Sequence, residues 1–196
     1  MKKMSKIILL LFATFVAIGV VSCSGDSPSL QNSRDTFAQT FEGMKGNYIG
    51  HYQTPFNTTQ NIKYSIDKNA KVSFSSVPIE QVLYKLCGND YQQVRLNDVG
   101  LSFTSPIDSV GYNSGYIAFK TANDLTTNRV DFSFTDQGGM THEGYMLVTI
   151  KGLYNPLQKI IDTNFIVTDL ILDNSDYTST LCPIENVFVV EQTSGI

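Results

Sequence analysis

Apolar and polar residues alternate with period two over much of the chain after residue 46, as expected for strands whose two faces differ. Tyr48 and Tyr52 fall on one face of the first such segment, and Asn47, Ile49 and His51 fall on the other. The same alternation marks strands near residues 61–66 and 72–74, separated by a polar turn. Further strands are predicted at residues 101–104, 112–121, 129–135, 145–151, 164–172 and 185–191.

Two stretches instead have the spacing of short helices. At residues 33–45, Ser33 can cap the first turn, and Phe37, Phe41 and Met44 share one face. At residues 78–88 a proline suits the first position, an apolar stripe follows, and a glycine ends the segment. Residues 89–98 are predicted to be a polar loop.

Short connections favour antiparallel pairing of the strands. Gly138-Gly139 lies between two alternating segments and predicts a hairpin, and Asn155-Pro156 and residues 173–176 mark other turns. Nine strands and two short helices predict a mainly β fold, an antiparallel barrel or sandwich, in a single domain over residues 33–196.

The first 22 residues have the plan of a secretory signal peptide. Lys2, Lys3 and Lys6 precede the uncharged residues 7–21, and Ser22-Cys23 follows. The end of this stretch resembles a bacterial lipobox, which implies cleavage before Cys23 and acylation of its thiol. The alternatives are a secreted protein cut near Ser22 and a membrane-spanning anchor. The apolar run of 15 residues is short for an anchor, which needs roughly 20. Residues 23–32 read as a flexible tether.

Charge and composition narrow the class of partner. Without the three leader lysines the formal net charge changes from −4 to −7. An acidic protein is a poor partner for nucleic acid, so we expect none, and the direct contact with the membrane is expected through the lipid on Cys23. The other partner is an unknown protein or small molecule. Cys87 and Cys182 are an even pair that could form a disulfide in an exported protein or remain two buried thiols.

No motif for catalysis, metal or cofactor binding is present, so we predict no catalytic residue, no metal site and no cofactor. His51 and His142 are expected to be solvated, and the scattered carboxylates to be surface charges. Tyrosines in or beside strands suit core packing and also binding surfaces. The candidate binding residues are Tyr48, Tyr52, Tyr64, Tyr112, Tyr116 and Tyr145.

The lipobox, the first strand Gly46-Asn47-Tyr48-Ile49-Gly50, and Val72-Ser73-Phe74-Ser75 leading into a helix at Pro78 resemble small lipoproteins of Bacteroidetes. The nearest family is the one called domain of unknown function 4840. The resemblance implies a location in the cell envelope and supplies no catalytic residues. Gly46-x-Tyr48 also resembles the Gly-x-Trp opening of calycin barrels, with Tyr in place of Trp.

Three functions remain open at this point. The first is a non-enzymatic lipoprotein, anchored to the outer membrane, that binds a ligand or protein through its β domain. The second is a structural or assembly subunit of a surface complex. The third is a hydrolase that uses carboxylates. Whether side chains fill the interior of the β domain would decide between an internal pocket and an interface.

Overall fold

The computed structural model describes residues 41–53, 58–97, 101–122 and 124–192, and eleven β-strands make up most of these residues. The predicted leader, Cys23 and the tether lie outside these ranges. The strands are β1 (Gly46–Gln53), β2 (Thr58–Ile66), β3 (Lys71–Phe74), β4 (Arg95–Leu96), β5 (Phe103–Asn113), β6 (Tyr116–Thr121), β7 (Arg129–Thr135), β8 (Thr141–Asn155), β9 (Ile160–Leu172), β10 (Ser175–Asp176) and β11 (Ile184–Gln192). The helices are α1 (Ile79–Cys87), a 3₁₀ turn (Gly88–Gln93) and α2 (Thr178–Leu181), and residues 41–44 are also helical.

Eight of the strands form a ring of antiparallel neighbours in chain order. β1 pairs with β2, β2 with β3, β3 with β5, β5 with β6, β6 with β8, β8 with β9, β9 with β11, and β11 with β1. The two partners of β5 lie on opposite edges, because Ile107 N donates to Ala70 O whereas Pro106 O accepts from Ala122 N. The prediction of a mainly antiparallel β fold is therefore confirmed, with the pairing order of an up-and-down barrel.

Three short or outlying strands extend the sheet beyond this ring. β7 forms the predicted hairpin with the first half of β8, pairing Thr135 with Thr141 and Arg129 with Leu147. β4 pairs with the end of β7, and β10 pairs with the end of β9. These additions lie at the same end of the ring as α1 and α2.

Aromatic side chains fill the interior of the ring. Phe165 on β9 reaches across to the far wall, with ring centroids 6.0 Å from Phe74 on β3 and 5.9 Å from Phe103 on β5. Tyr64 packs edge-on against Phe74 at 4.6 Å. Since side chains from opposite walls meet, the interior is a packed core rather than a hollow ligand cavity.

A glycine on β8 allows one of these rings to fit. Phe119 on β6 pairs with Gly152, and a Cβ built on Gly152 would lie 2.0 Å from Phe119 Cζ. No side chain can occupy that position while the phenyl ring is there. The small residue at this point in β8 is thus explained by the packing of its neighbour.

The wall opens between β6 and β7, and a buried asparagine bridges the opening. Asn128 is 1% exposed, and its Oδ1 accepts hydrogen bonds from Ser105 Oγ at 2.6 Å and Thr127 Oγ1 at 3.0 Å. Its amide nitrogen donates to Ala122 O, and its carbonyl accepts from Val148 N at 2.9 Å. The side chain of Asn128 therefore ties β5 to the loop after β6, and its backbone carbonyl adds a link to β8.

The prediction of one strand over residues 112–121 is wrong. Ser114 and Gly115 have φ angles of 50° and 88° and form a two-residue turn between β5 and β6. Both positions of a type I′ turn need positive φ, which is the backbone observed. Tyr112 and Tyr116 consequently lie on different strands, and Tyr112 belongs to β5, which begins in the strand predicted at residues 101–104 and runs on to Asn113. The predicted loop 89–98 also contains the 3₁₀ turn and β4, and the predicted turn 173–176 contains β10, so the described residues form eleven strands rather than nine.

The helix predicted at residues 78–88 is confirmed as α1, which has Glu80 in its first turn, Lys85 in its last turn and Gly88 at its C-cap with φ of 62°. Of the helix predicted at residues 33–45, residues 41–44 are helical, Lys45 is not, and the rest lies outside the described ranges. Within those ranges, no helix has the length and apolar character needed to cross a membrane.

Candidate functional site

A depression of about 500 Å³ lies on the outer side of the ring, against β1, β2, β3 and the start of β5. We call it the lateral depression. Its outward side chains are mostly small and polar: Asn47, Ser65, Ser73, Ser75, Ser102 and Thr104, together with Ile49 and Lys63. Its size falls within the range of small-molecule sites, roughly 300–1,000 Å³.

Strand register places these side chains in rows across the sheet. Asn47 pairs with Ser65, Ser65 with Ser73, and Ser73 with Thr104, so one row of polar side chains crosses four strands. Directly opposed residues in antiparallel strands point to the same face, about 4.5–5.5 Å apart. The middle members of the row are serines, whose side chains are short. The surface is therefore recessed there, which produces the depression.

A second row runs parallel to the first. Ile49 pairs with Lys63, and Lys63 is bonded in turn to Ser75 through Lys63 N to Ser75 Oγ at 3.1 Å and Ser75 N to Lys63 O at 2.9 Å. Ile49 keeps 43% of its surface exposed. This row adds an apolar contact and the single formal charge among the lining residues.

The hydroxyls of the first row hold one another in place. Ser73 Oγ and Thr104 Oγ1 are 2.9 Å apart and share a hydrogen bond. A hydroxyl has one donor and two acceptor sites, so each keeps capacity for an outside partner. The depression can therefore donate and accept hydrogen bonds at several points a few ångströms apart.

The floor of the depression is rigid because an aromatic row lies beneath it. Tyr48, Tyr64, Phe74 and Phe103 are opposed across the same four strands and are all buried. Tyr48 and Tyr64 meet edge-to-face with centroids 5.7 Å apart, and Tyr48 Oη donates to Met44 O at 2.5 Å. Burial raises the pKa of Tyr48 and Tyr64, so neither is ionised at neutral pH.

The structure does not bring the six candidate tyrosines together on one surface. Tyr48, Tyr52 and Tyr64 are buried, and Tyr52 Oη donates to Glu80 Oε2 at 3.1 Å. Tyr112 is 67% exposed and Tyr116 is half-buried on the next strand. Tyr145 is half-buried, and the Arg129 guanidinium lies 4.0 Å from its ring centroid. This cation–π contact gives Tyr145 a structural role.

The two described cysteines are free, half-buried thiols. Burial is the main cause that raises the pKa of Cys87, with Asp90 and Asp136 nearby adding to it. Burial likewise raises the pKa of Cys182 to about 11. A thiol that stays protonated at neutral pH is a weak nucleophile, so neither position favours covalent catalysis. Cys23, the candidate lipidation site, lies outside the described residues.

His142 has carboxylate partners that the sequence analysis missed. Its Nδ1 is 2.6 Å from Asp173 Oδ2, and its Nε2 is 3.5 Å from Asp136 Oδ2. The ring stacks on Phe134 with centroids 4.9 Å apart. The hydrogen bond with Asp173 is the largest cause that raises the pKa of His142, and the same bond lowers the pKa of Asp173. His51, in contrast, is exposed on β1 as expected.

This histidine is not arranged to activate a nucleophile. Both ring nitrogens face carboxylates, so the nitrogen that would take a proton from Ser, Thr or Cys already has a partner. His142 instead joins the β7–β8 turn, which carries Asp136, to the β9–β10 turn, which carries Asp173. In the part of the chain that the structure describes, no group of three His, Cys, Asp or Glu residues could hold a metal ion.

Sequence reasoning also missed the lateral depression. The sequence pattern predicted polar, outward positions at residues 47, 63–65 and 73–75, but it indicated only that these residues face solvent. Which of them become neighbours depends on register across four strands. No family model, curated protein or solved structure matches the chain. The resemblance drawn from the sequence therefore stays a prediction.

Proposed function

We propose that this protein is a non-enzymatic cell-envelope lipoprotein, anchored to the outer membrane through Cys23, whose β domain binds an uncharged, hydroxyl-rich ligand in the lateral depression. A saccharide is the ligand class that fits best. The main observation in support of this proposal is a row of polar side chains on four adjacent strands, formed by Asn47, Ser65, Ser73 and Thr104.

The lining chemistry supports a sugar over an ionic ligand. Side-chain hydroxyls and amides both donate and accept, as sugar hydroxyls do, whereas the oxygens of a carboxylate or phosphate only accept and make their strongest hydrogen bonds with charged donors. Among the described residues of the lining, Lys63 is the single charged one. Ile49 offers an apolar contact for the carbon–hydrogen face of a sugar ring.

The packed interior supports a surface site over an internal one. Phe165 touches residues of the opposite wall, which leaves little space for a ligand inside the ring. Among the described residues, the lining of the lateral depression contains no carboxylate. A hydrolase that uses paired carboxylates therefore receives no support from this site.

The lipid anchor can be tested independently of the ligand. We expect mass spectrometry of the membrane-extracted protein to find a mature chain that begins at an acylated Cys23. Replacing the thiol by Cys23→Ala should leave a precursor that retains residues 1–22. Normal processing of the variant, or an unmodified Cys23 in the wild type, would contradict the anchor.

Ligand binding can be tested by filling the depression without touching the core. The wild-type protein is screened against an oligosaccharide panel, and hits are measured by isothermal titration calorimetry. Ser73→Tyr places a ring in the middle of the depression and should weaken binding at least about tenfold, a loss of roughly 1.4 kcal/mol. The matched control is Ser109→Tyr, an exposed serine on β5 outside the lining.

The control variant should bind as the wild type does. Equal affinities for the wild type, Ser73→Tyr and Ser109→Tyr would place the ligand elsewhere. A wild-type protein that binds no member of the panel would contradict the saccharide assignment.

A further inference from the structure

The two ends of the ring differ in charge and in their relation to the chain that precedes β1. One end carries the start of β1, the β2–β3 turn at residues 67–70, the β5–β6 turn at residues 114–115 and the β8–β9 turn at residues 156–159. We call this the entry end. The opposite end carries α1, α2, the start of β11 and the β7–β8 hairpin.

Strand directions fix which turns share the entry end. Tyr48 near the start of β1 pairs with Gln192 at the end of β11, and Glu191 pairs with Ile160 at the start of β9. Gly46 pairs with Ile66 at the end of β2. The link from residue 45 into β1 therefore reaches the ring at this end.

Exposed lysines and apolar side chains occur together at the entry end. Leu157 in the β8–β9 turn is 94% exposed, and Tyr112 beside the β5–β6 turn is 67% exposed. Lys159 and Lys68 are exposed in the turns at the same end, and the exposed Glu42, which precedes β1, is paired with Lys45. Asp67 is engaged within its own turn, where Oδ1 accepts from Asn69 N at 2.8 Å and Lys71 N at 2.9 Å.

The opposite end also exposes apolar side chains, including Leu125 and Met140, but its charge is of the other sign. Its exposed acidic residues in the described ranges are Asp90, Asp124, Asp131, Glu143, Asp173, Asp176 and Glu185, and they outnumber the exposed Lys85, Arg95 and Arg129. Anionic headgroups repel such a surface and attract lysines. Both ends expose apolar residues, so it is their charge that distinguishes them.

We propose that the entry end is the face that rests on the lipid bilayer, with Leu157 and Tyr112 at the interface and Lys68 and Lys159 against headgroup phosphates. The proposal rests on the anchor at Cys23 proposed above. The predicted tether of ten residues has a mean span of roughly 17 Å, and the described chain that follows it joins the ring at the entry end. The lateral depression then faces sideways and stays accessible.

Aliphatic and aromatic tips flanked by lysines suit this position for a physical reason. Tyrosine favours the interface because its ring is apolar and its hydroxyl reaches water, and lysine extends its charge to the headgroups while its stem stays apolar. These contacts add to the acyl anchor without a membrane-spanning segment.

The absence of tryptophan from the sequence makes orientation measurable. Two single-tryptophan variants are compared in the full lipidated protein, reconstituted in vesicles of phosphatidylethanolamine and phosphatidylglycerol that contain brominated lipid. Leu157→Trp places the probe at the entry end, and Tyr177→Trp places it at the opposite end on an exposed residue. We expect about twofold or greater quenching and a blue shift for Leu157→Trp, with neither for Tyr177→Trp.

A charge test supports the same comparison. Lys68→Glu with Lys159→Glu should shift the equilibrium away from the docked orientation by about fivefold per lysine, and quenching of the Leu157→Trp probe should fall accordingly. Lys85→Glu, an exposed lysine on α1 at the opposite end, makes the same charge change and should leave the quenching intact.

Mass spectrometry of each sample separates the two proposals. With lipid on Cys23, unquenched or equally quenched probes overturn the orientation while the anchor stands. Without lipid on Cys23 the anchor fails, and the same proteins mixed with the vesicles decide the orientation: selective quenching of the Leu157→Trp probe supports it, and its absence overturns it.

Discussion

The two faces of β1, β2, β3 and β5 carry adjacent rows of residues with opposite roles. The inner row, Tyr48, Tyr64, Phe74 and Phe103, is buried and packs edge-to-face. The outer row, Asn47, Ser65, Ser73 and Thr104, is one residue away on each strand and lines the lateral depression. The same backbone therefore supplies stability on one side and a hydrogen-bonding surface on the other, because side chains alternate along a strand.

The largest expected effect comes from the inner row. Phe74→Ala should lower the free energy of unfolding by about 3–5 kcal/mol, since it removes a buried ring that contacts Tyr64 and Phe165. Ser73→Ala, at the preceding residue, should change it by less than about 0.5–1 kcal/mol. Urea unfolding followed by circular dichroism measures both. Similar losses for the two variants would mean that the faces do not divide stability and binding as described.

A smaller and pH-dependent effect is expected outside the ring, at His142. The folded state raises the pKa of this imidazole, so its stabilising contribution is complete below about pH 6.5, the ordinary value, and is lost as pH rises through the folded-state pKa. The folded state lowers the pKa of Asp173, so that contribution is present above about pH 4 and is lost on acidification through the lowered value.

His142→Asn should therefore destabilise the protein most between about pH 4.5 and 6 and progressively less above about pH 7. The matched control is His51→Asn on the exposed face of β1, which removes an imidazole without touching the contacts of His142. Thermal unfolding across this pH range measures the difference. A His142→Asn effect that is constant from pH 5 to pH 8 would contradict the contact with Asp173 and Asp136.

Local sequence patterns predicted much of the inner and outer faces but not how they assemble. Alternation at Ile62, Tyr64 and Ile66 gave a strand and its buried face, and Gly138-Gly139 gave a hairpin, because both signals are local. The Ser114-Gly115 turn was missed since the apolar residues around it read as one continuous run. Separate strands were predicted at residues 101–104 and 112–121, and the continuity of β5 between them was missed because it contains Pro106, which lies where β5 changes partner from β3 to β6.

The candidate site was harder to predict for a physical reason. Serines such as Ser65 and Ser73 are ordinary solvent-facing residues until register makes them neighbours. The contact of His142 with Asp173 joins residues 31 positions apart through two turns, so spacing along the chain does not reveal it. The tyrosines were predicted as candidate binding residues, yet the most buried of them pack in the core.

The separation of the two faces is tested most directly by one double variant, Ser65→Ala with Ser73→Ala, measured for urea stability and for saccharide binding on the same sample. The account predicts an unfolding free energy within about 1 kcal/mol of the wild type and an affinity at least about tenfold weaker. A large loss of stability with unchanged affinity would contradict it.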